Sequence, residues 1–96
     1  MLRTPSNREE MYVDIGLYGI PQRERFEAEK TTRRLEDFVR KIGGFQMMYA
    51  DSYMTRAEFR EMFDHKLYDE MRAKLKCVGN FPEVYDKVNK KSRAGN

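Results

Sequence analysis

Apolar positions fall into two kinds of period along this chain. In the stretch MYVDIGLY, Met11, Val13, Ile15 and Leu17 alternate with Tyr12, Asp14, Gly16 and Tyr18. A period of two predicts a β-strand with one aliphatic face and one face that is wetted or functional. Gly19 and Pro21 stop it. The period then lengthens. Leu35, Phe38, Val39 and Ile42 stand at i, i+3, i+4 and i+7, the stripe of an amphipathic helix, and Phe26 extends that face. A helix over 23–42 follows, closed by Gly43 and Gly44, one of them in the left-handed conformation that ends helices. Period two returns in FQMMYADSYM. Phe45, Met47, Tyr49, Asp51 and Tyr53 would share one face of a second strand, and Gln46, Met48, Ala50, Ser52 and Met54 the other.

Beyond the second strand the pattern is helical. Thr55-Arg56-Ala57-Glu58 fits a capping box, in which the threonine hydroxyl and the glutamate satisfy each other's amides. Phe59, Met62 and Phe63 supply an apolar face. Asp64 can recap a further helix with Leu67, Tyr68, Met71 and Leu75, broken by Gly79 and Asn80. Phe81, Val84, Tyr85 and Val88 predict a last short amphipathic turn. The fold class expected is α+β, a β-α-β unit followed by two or three short helices. A flexible lead over 1–9, an α+β segment over 10–88 and a basic disordered tail over 89–96 complete the division. Two strands alone do not make a stable sheet, so strands from elsewhere are expected beside them.

Composition narrows the function. The chain has 96 residues, of which 36% are charged and 40% hydrophobic, so it is one domain with a thin core. Its net charge is only +3, with the signs interleaved, too balanced for a strong phosphate footprint. The aromatic RNP1 pattern of RNA-recognition domains is missing, so nucleic acid is not an expected partner. One cysteine, Cys77, permits no intrachain disulfide, and one histidine, His65, permits no histidine-rich metal cluster, so no metal site is expected. No apolar run reaches the length of a membrane span, and by itself the chain reads as soluble. His65 is read as a surface residue. Glu27, Glu29, Glu36 and Asp37 are read as ordinary surface pairs with neighbouring Arg and Lys.

The chemistry-bearing candidates lie on the second strand. Tyr49, Asp51 and Tyr53 put a carboxylate between two phenols on one face. That combination suits a pocket rim where a phenol donates a proton or a hydrogen bond. Read without a functional role, the same pattern is a strand end leaving the core with Asp51 in water. Met47, Met48 and Met54 suit an adaptable apolar wall or plain core.

The linked blocks MYVDIGLYG, GFQMMYAD, FREMFD, LYDEMRAKL and FPEVYDK resemble the C-terminal end of the delta(24)-sterol reductases, from about Glu10 to Val88. That family is of the FAD-dependent, vanillyl-alcohol-oxidase type. The resemblance implies reduction of the C24–C25 double bond of desmosterol-type sterol intermediates in cholesterol biosynthesis, with NADPH as hydride source and FAD as relay. It implies association with the endoplasmic reticulum membrane through an N-terminal segment, and an N-terminal FAD-binding domain as partner. The 96 residues alone are then expected to bind no cofactor and to be inactive.

In the same superfamily a strand near the C-terminus approaches the flavin and substrate, and Met48-Tyr49-Ala50-Asp51 resembles it. Related sugar-lactone oxidases carry His and Lys where this chain has Met48 and Asp51. An acid cannot repeat a base's contact to an anionic flavin. The resemblance therefore implies Tyr49 as a catalytic or pocket residue, with Met47, Asp51 and Tyr53 lining the substrate and flavin pocket. The alternative reading is a short non-catalytic module that binds a sterol or a protein partner.

Overall fold

The structure, a computed structural model, describes residues 9, 11–49 and 51–94. The flexible lead expected over 1–9 lies, apart from Glu9, outside the described residues. Five helices follow one another: α1 (Ala28–Lys41), α2 (Arg56–Met62), α3 (Lys66–Lys74), α4 (Val84–Val88) and α5 (Lys90–Ala94).

α1 starts later than its sequence pattern predicts. Glu27 is the extended N-cap residue, and the first helical amide to bond back is Thr31, to Glu27 O at 3.1 Å. The end is as expected. Gly43 adopts φ +76°, its amide bonds Arg40 O, and the Gly44 amide bonds Val39 O at 2.9 Å. These two bonds form a Schellman closure, which needs a residue free to turn left-handed.

The capping box of α2 forms as read. Thr55 Oγ1 accepts from Glu58 N at 3.2 Å, and Thr55 N donates to Glu58 Oε2 at 3.0 Å. The N-cap of the next helix is His65, without a side-chain cap bond, rather than Asp64, which lies one residue earlier and accepts from Lys66 N at 3.0 Å. α3, however, closes before Gly79 and Asn80. Lys76 turns left-handed at φ +57° instead, with Cys77 N on Arg72 O at 2.8 Å. The stretch expected to be a disordered tail is helical over Lys90–Ala94. Asn89 caps it, its Oδ1 accepting from Lys91 N and Ser92 N.

The buried core is small: Met54, Phe59, Met62 and Phe63, with Val39, Phe45, Met48, Val84, Tyr85 and Val88 packed against it. Phe59 is its hub, with ring centroids 5.1 Å from Phe63, 5.2 Å from His65 and 5.8 Å from Tyr85. His65 is therefore not a surface residue. It is buried edge-on against Phe59 and Tyr68, with Nδ1 2.8 Å from Phe63 O. Its ring fills an aromatic gap while one nitrogen keeps a partner, which makes burial of a polar ring tolerable.

The two strand-patterned stretches form no ladder among the described residues. Ser52 pairs with Asn89 in an isolated parallel bridge, and Phe63 is also a bridge residue. Residues 11–20 are exposed throughout. Their contacts to 45–49 run in one direction along both stretches: Tyr12 meets the edge of Phe45 at 5.2 Å, and Tyr18 neighbours Tyr49.

α1 is amphipathic as its period predicts, but its apolar stripe is split, with Val39 packed against the core. Leu35, Phe38 and Ile42 are all more than half exposed, while Arg33, Glu36 and Arg40, at i, i+3 and i+7, face the chain that follows.

Candidate functional site

The site is best built from residues 52–54, because they fix the stretch that carries the sequence candidates. Each backbone group named here finds a partner outside any sheet. Ser52 O accepts from Lys90 N at 2.8 Å. Tyr53 N donates to the Glu36 carboxylate at 3.2 Å, and Tyr53 O accepts from Arg33 Nη1 at 2.8 Å. Met54 N donates to Ser52 Oγ at 3.4 Å, and Met54 O accepts from Asn89 Nδ2 at 2.7 Å and from the Tyr85 hydroxyl at 3.0 Å. Buried peptide groups must be paired, and here side chains and the α5 amide do what neighbouring strands would do. Period-two patterning at 45–54 thus coexists with a non-sheet backbone.

Glu36 is the residue that surface pairing does not explain. It is 3% exposed and accepts from Ser52 Oγ at 2.9 Å as well as from Tyr53 N. Burial pushes its pKa up from the ordinary carboxylate range, opposed by the Ser52 and Tyr53 hydrogen bonds and by the charge of Arg33. Arg33 in turn donates to both oxygens of Glu58 at 2.8 Å. Arg40 Nη1 lies 3.0 Å from the same carboxylate, a charge contact without hydrogen-bond alignment. The Arg33 hydrogen bonds hold Glu58 down to about 2 against the cost of burial, with Thr55 N and the charge of Arg40 acting in the same direction. Arg33 of α1 thus binds the lowered carboxyl, Glu58 of α2, while its charge also acts on the raised one, Glu36. Glu27 with Lys30 and Asp37 with Arg40 pair along the helix as expected, whereas Glu29 pairs with Lys91 of α5.

The candidates from the sequence are presented differently from one another. Tyr49 is 73% exposed, and the Tyr18 phenol beside it, with Asp14 contributing, pushes its hydroxyl pKa up. Met47 is about half exposed. Asp51 turns to α5, accepting from Lys90 Nζ at 3.0 Å and from Arg93 Nη2 at 2.7 Å, and these two cations lower its pKa. Tyr53 is half-buried and is held through its backbone. The structure therefore brings Tyr49 together with Tyr18, and Asp51 together with Lys90 and Arg93. Ala50, between them, lies outside the described residues.

Sequence reasoning missed the roles of Glu36, Arg33, Ser52 and Asn89. The available signal was the Arg33–Glu36–Arg40 spacing, which sets three charges along one helix face, although such a row is ordinarily solvated. Gln46 reaches the same stretch, donating from Nε2 to Asp51 O at 3.2 Å. Among the described residues no group of His, Cys, Asp and Glu could hold a metal, and no helix is long and apolar enough to cross a membrane.

Comparison with known proteins places this chain in a family. No family model matches the chain. No solved structure matches it either. Curated proteins do. A delta(24)-sterol reductase homolog of Caenorhabditis elegans is 57% identical over 83 residues, covering 86% of this chain and 16% of that protein. The delta(24)-sterol reductase of Homo sapiens is 53% identical over 93 residues, covering 97% of this chain and 18% of that protein. That of Arabidopsis thaliana is 38% identical over 85 residues, 84% of this chain and 15% of that protein. The chain thus spans less than a fifth of the length of these relatives, and within that span it belongs to the delta(24)-sterol reductase family.

Proposed function

We propose that this chain supplies, to an FAD- and NADPH-dependent delta(24)-sterol reductase, the C-terminal α+β segment that closes the pocket where the C24–C25 double bond of a desmosterol-type sterol is reduced. The observation that carries the reading is 53% identity over 93 residues to the Homo sapiens reductase. Reducing an isolated alkene adds a hydride to one carbon and a proton to the other. The flavin supplies the hydride, drawn from NADPH. The protein orients the sterol and supplies the proton.

Tyr49 suits the proton's source. Its ring is displayed rather than packed, and a phenol carries its proton at neutral pH. Met47 and Tyr49 suit an apolar, flat neighbour such as a flavin ring or a sterol. The cofactor phosphates are assigned to the FAD-binding domain of the longer enzyme. Asp51 is already neutralised by Lys90 and Arg93, which suits a structural tether at the pocket edge.

The β-α-β unit belongs to the same proposal. Residues 11–18 and 45–49 keep strand patterning and meet in a parallel sense, and Val13, Ile15 and Leu17 are at least 78% exposed. Both stretches become strands once the sheet of the longer enzyme lies beside them. The endoplasmic reticulum association is assigned to the family's N-terminal segment. The isolated 96 residues are then inactive.

Changing Tyr49 to Phe in the full-length reductase tests the assignment. A general acid contributes roughly 10²–10⁴-fold, so desmosterol turnover should fall by about a hundredfold or more with flavin content unchanged. Unchanged turnover removes Tyr49 from the proton-donor role. The outward apolar stripe Leu35, Phe38 and Ile42 favours one second reading, a non-catalytic sterol- or partner-binding module. Saturable sterol binding by the isolated chain would move that reading ahead.

A further inference from the structure

We infer that Glu36 and Arg33 are positioning residues: charged side chains one helical turn apart that grip the Tyr53 peptide at both ends and thereby fix how the stretch carrying Met47, Tyr49 and Asp51 is presented. The inference rests on reading that stretch as pocket-lining. The grip itself is geometric. Glu36 accepts the Tyr53 N–H at 3.2 Å, and Arg33 donates to the Tyr53 carbonyl at 2.8 Å. Neither contact can relax independently. Arg33 is forked onto Glu58 with two 2.8 Å hydrogen bonds, and Glu58 is locked into the first turn of α2 by Thr55. Glu36 is fixed further by Ser52 Oγ at 2.9 Å.

A carboxylate buried to 3% exposure is costly unless its oxygens are filled. Filling them takes two donors from adjacent residues of one segment, Ser52 and Tyr53, so the arrangement reads the position of that segment rather than merely covering the core. An amide at position 36 keeps one acceptor oxygen and turns an NH₂ toward a donor, so glutamine can replace only part of the grip. On the far side α5 holds the same stretch, through Lys90 N on Ser52 O and through Lys90 and Arg93 on Asp51. The candidate residues Asp51, Tyr49 and Met47 thereby lie two, four and six residues from the Tyr53 anchor held between α1 and α5.

The test uses the full-length reductase with Glu36→Ala, Glu36→Gln and Ser52→Ala. Two readings are taken on each: hydrogen exchange of peptides spanning residues 49–54, and kcat and KM for the sterol per mole of bound flavin. Glu36→Ala should speed exchange across 49–54 and lower kcat/KM about tenfold or more, mainly through KM. Ser52→Ala should fall between it and the parent, and Glu36→Gln should recover to within about threefold. If Glu36→Ala does not fold, the same two readings on Glu36→Gln and Ser52→Ala decide.

Parent-like exchange in all three variants overturns the grip, whatever turnover does. Faster exchange with parent-like kcat/KM per bound flavin overturns the positioning role and leaves Glu36 a purely structural residue. Failure of the pocket reading has its own signature. Tyr49→Ala and Met47→Ala would then be as active as the parent while Glu36→Ala still frees the 49–54 amides, and the positioning claim would fall with the pocket and not with the geometry.

Discussion

Lys76 occupies a backbone conformation that side chains resist. At φ +57° it closes α3, with its amide on Ala73 O at 3.2 Å and the Cys77 amide on Arg72 O at 2.8 Å. Left-handed backbone costs a residue with a Cβ roughly 1–2 kcal/mol, and glycine gives back part of that gain through its freer unfolded chain. Lys76→Gly should therefore stabilise the fold by about 1 kcal/mol, read as a rise in the midpoint of thermal unfolding. The position could not be found from the sequence, because Gly79 and Asn80 are the stronger breakers and lie just beyond. Gly79 does turn left-handed, at φ +84°, but in the turn after the helix has ended. His65 was illegible for a related reason. Its neighbours Asp64 and Lys66 mark a solvated helix start, while the rings that bury it, Phe59 and Tyr68, are brought up by the fold.

Helix periods and caps were the readable layer at the scale of elements. The α2 capping box was legible because both of its partners lie within four consecutive residues. Thr55→Ala leaves the Glu58 amide without its side-chain acceptor and should cost about 1 kcal/mol, within a range of about 0.5–2 kcal/mol, measured by denaturant unfolding. The loss should exceed that of a typical surface threonine, because Glu58 is also the partner of Arg33. What periodicity could not supply was the direction of the α1 faces. The apolar stripe was visible, but the side turned inward carries Arg33, Glu36 and Arg40, whose cost of burial is offset by specific partners in 52–58. Pairing between stretches far apart in sequence leaves no local trace. Strand patterning at 11–18 and 45–54 records the alternation of side chains and not whether a ladder partner is at hand. Of the candidate site residues, Tyr49 is exposed and Met47 about half exposed, whereas Asp51 is committed to Lys90 and Arg93 of α5, a pairing that period two does not encode.

Taken whole, the molecule is flat and loosely gathered, with extents of 50 × 40 × 19 Å and a radius of gyration of 15.5 Å. A compact chain of about 100 residues has a radius of gyration near 13 Å. The buried apolar core is small among the described residues, and arginine–carboxylate bridges also connect the helices. Arg33 and Arg40 join α1 to Glu58 of α2, Arg56 joins α2 to Glu83 and Asp86 around α4, and Arg60 joins α2 to Asp69 of α3. The half-exposed pairs contribute little. Glu58, largely shielded, matters more, and its pH response has a definite sign. Its folded pKa is lowered to about 2 from 4.5, so its contribution is complete above about 4.5 and is lost as pH falls toward 2. Glu36 works oppositely, since a raised pKa favours the folded state at low pH and loses that advantage as pH rises through it. Glu58→Gln should therefore be less stable than the parent at neutral pH, and the difference should shrink between pH 4.5 and 2 as Glu58 itself becomes neutral. Unfolding midpoints of the two proteins across that range check it, and a gap that stays constant would show that the Arg33 and Arg40 pairings add no stability.

The way Tyr53 is held also bears on how this region can change over generations. In a sheet, hydrogen bonds run from main chain to main chain and survive nearly any substitution. Here the same peptide is held by side chains of Arg33 and Glu36, with Ser52 and Glu58 completing the set. The shape of 52–54 is thus encoded at positions remote from it in sequence. A single change at any of the four strands the other three, whereas compensating changes made together can be silent. Residues 33, 36, 52 and 58 should behave as one epistatic unit, with double substitutions less harmful than the sum of their parts.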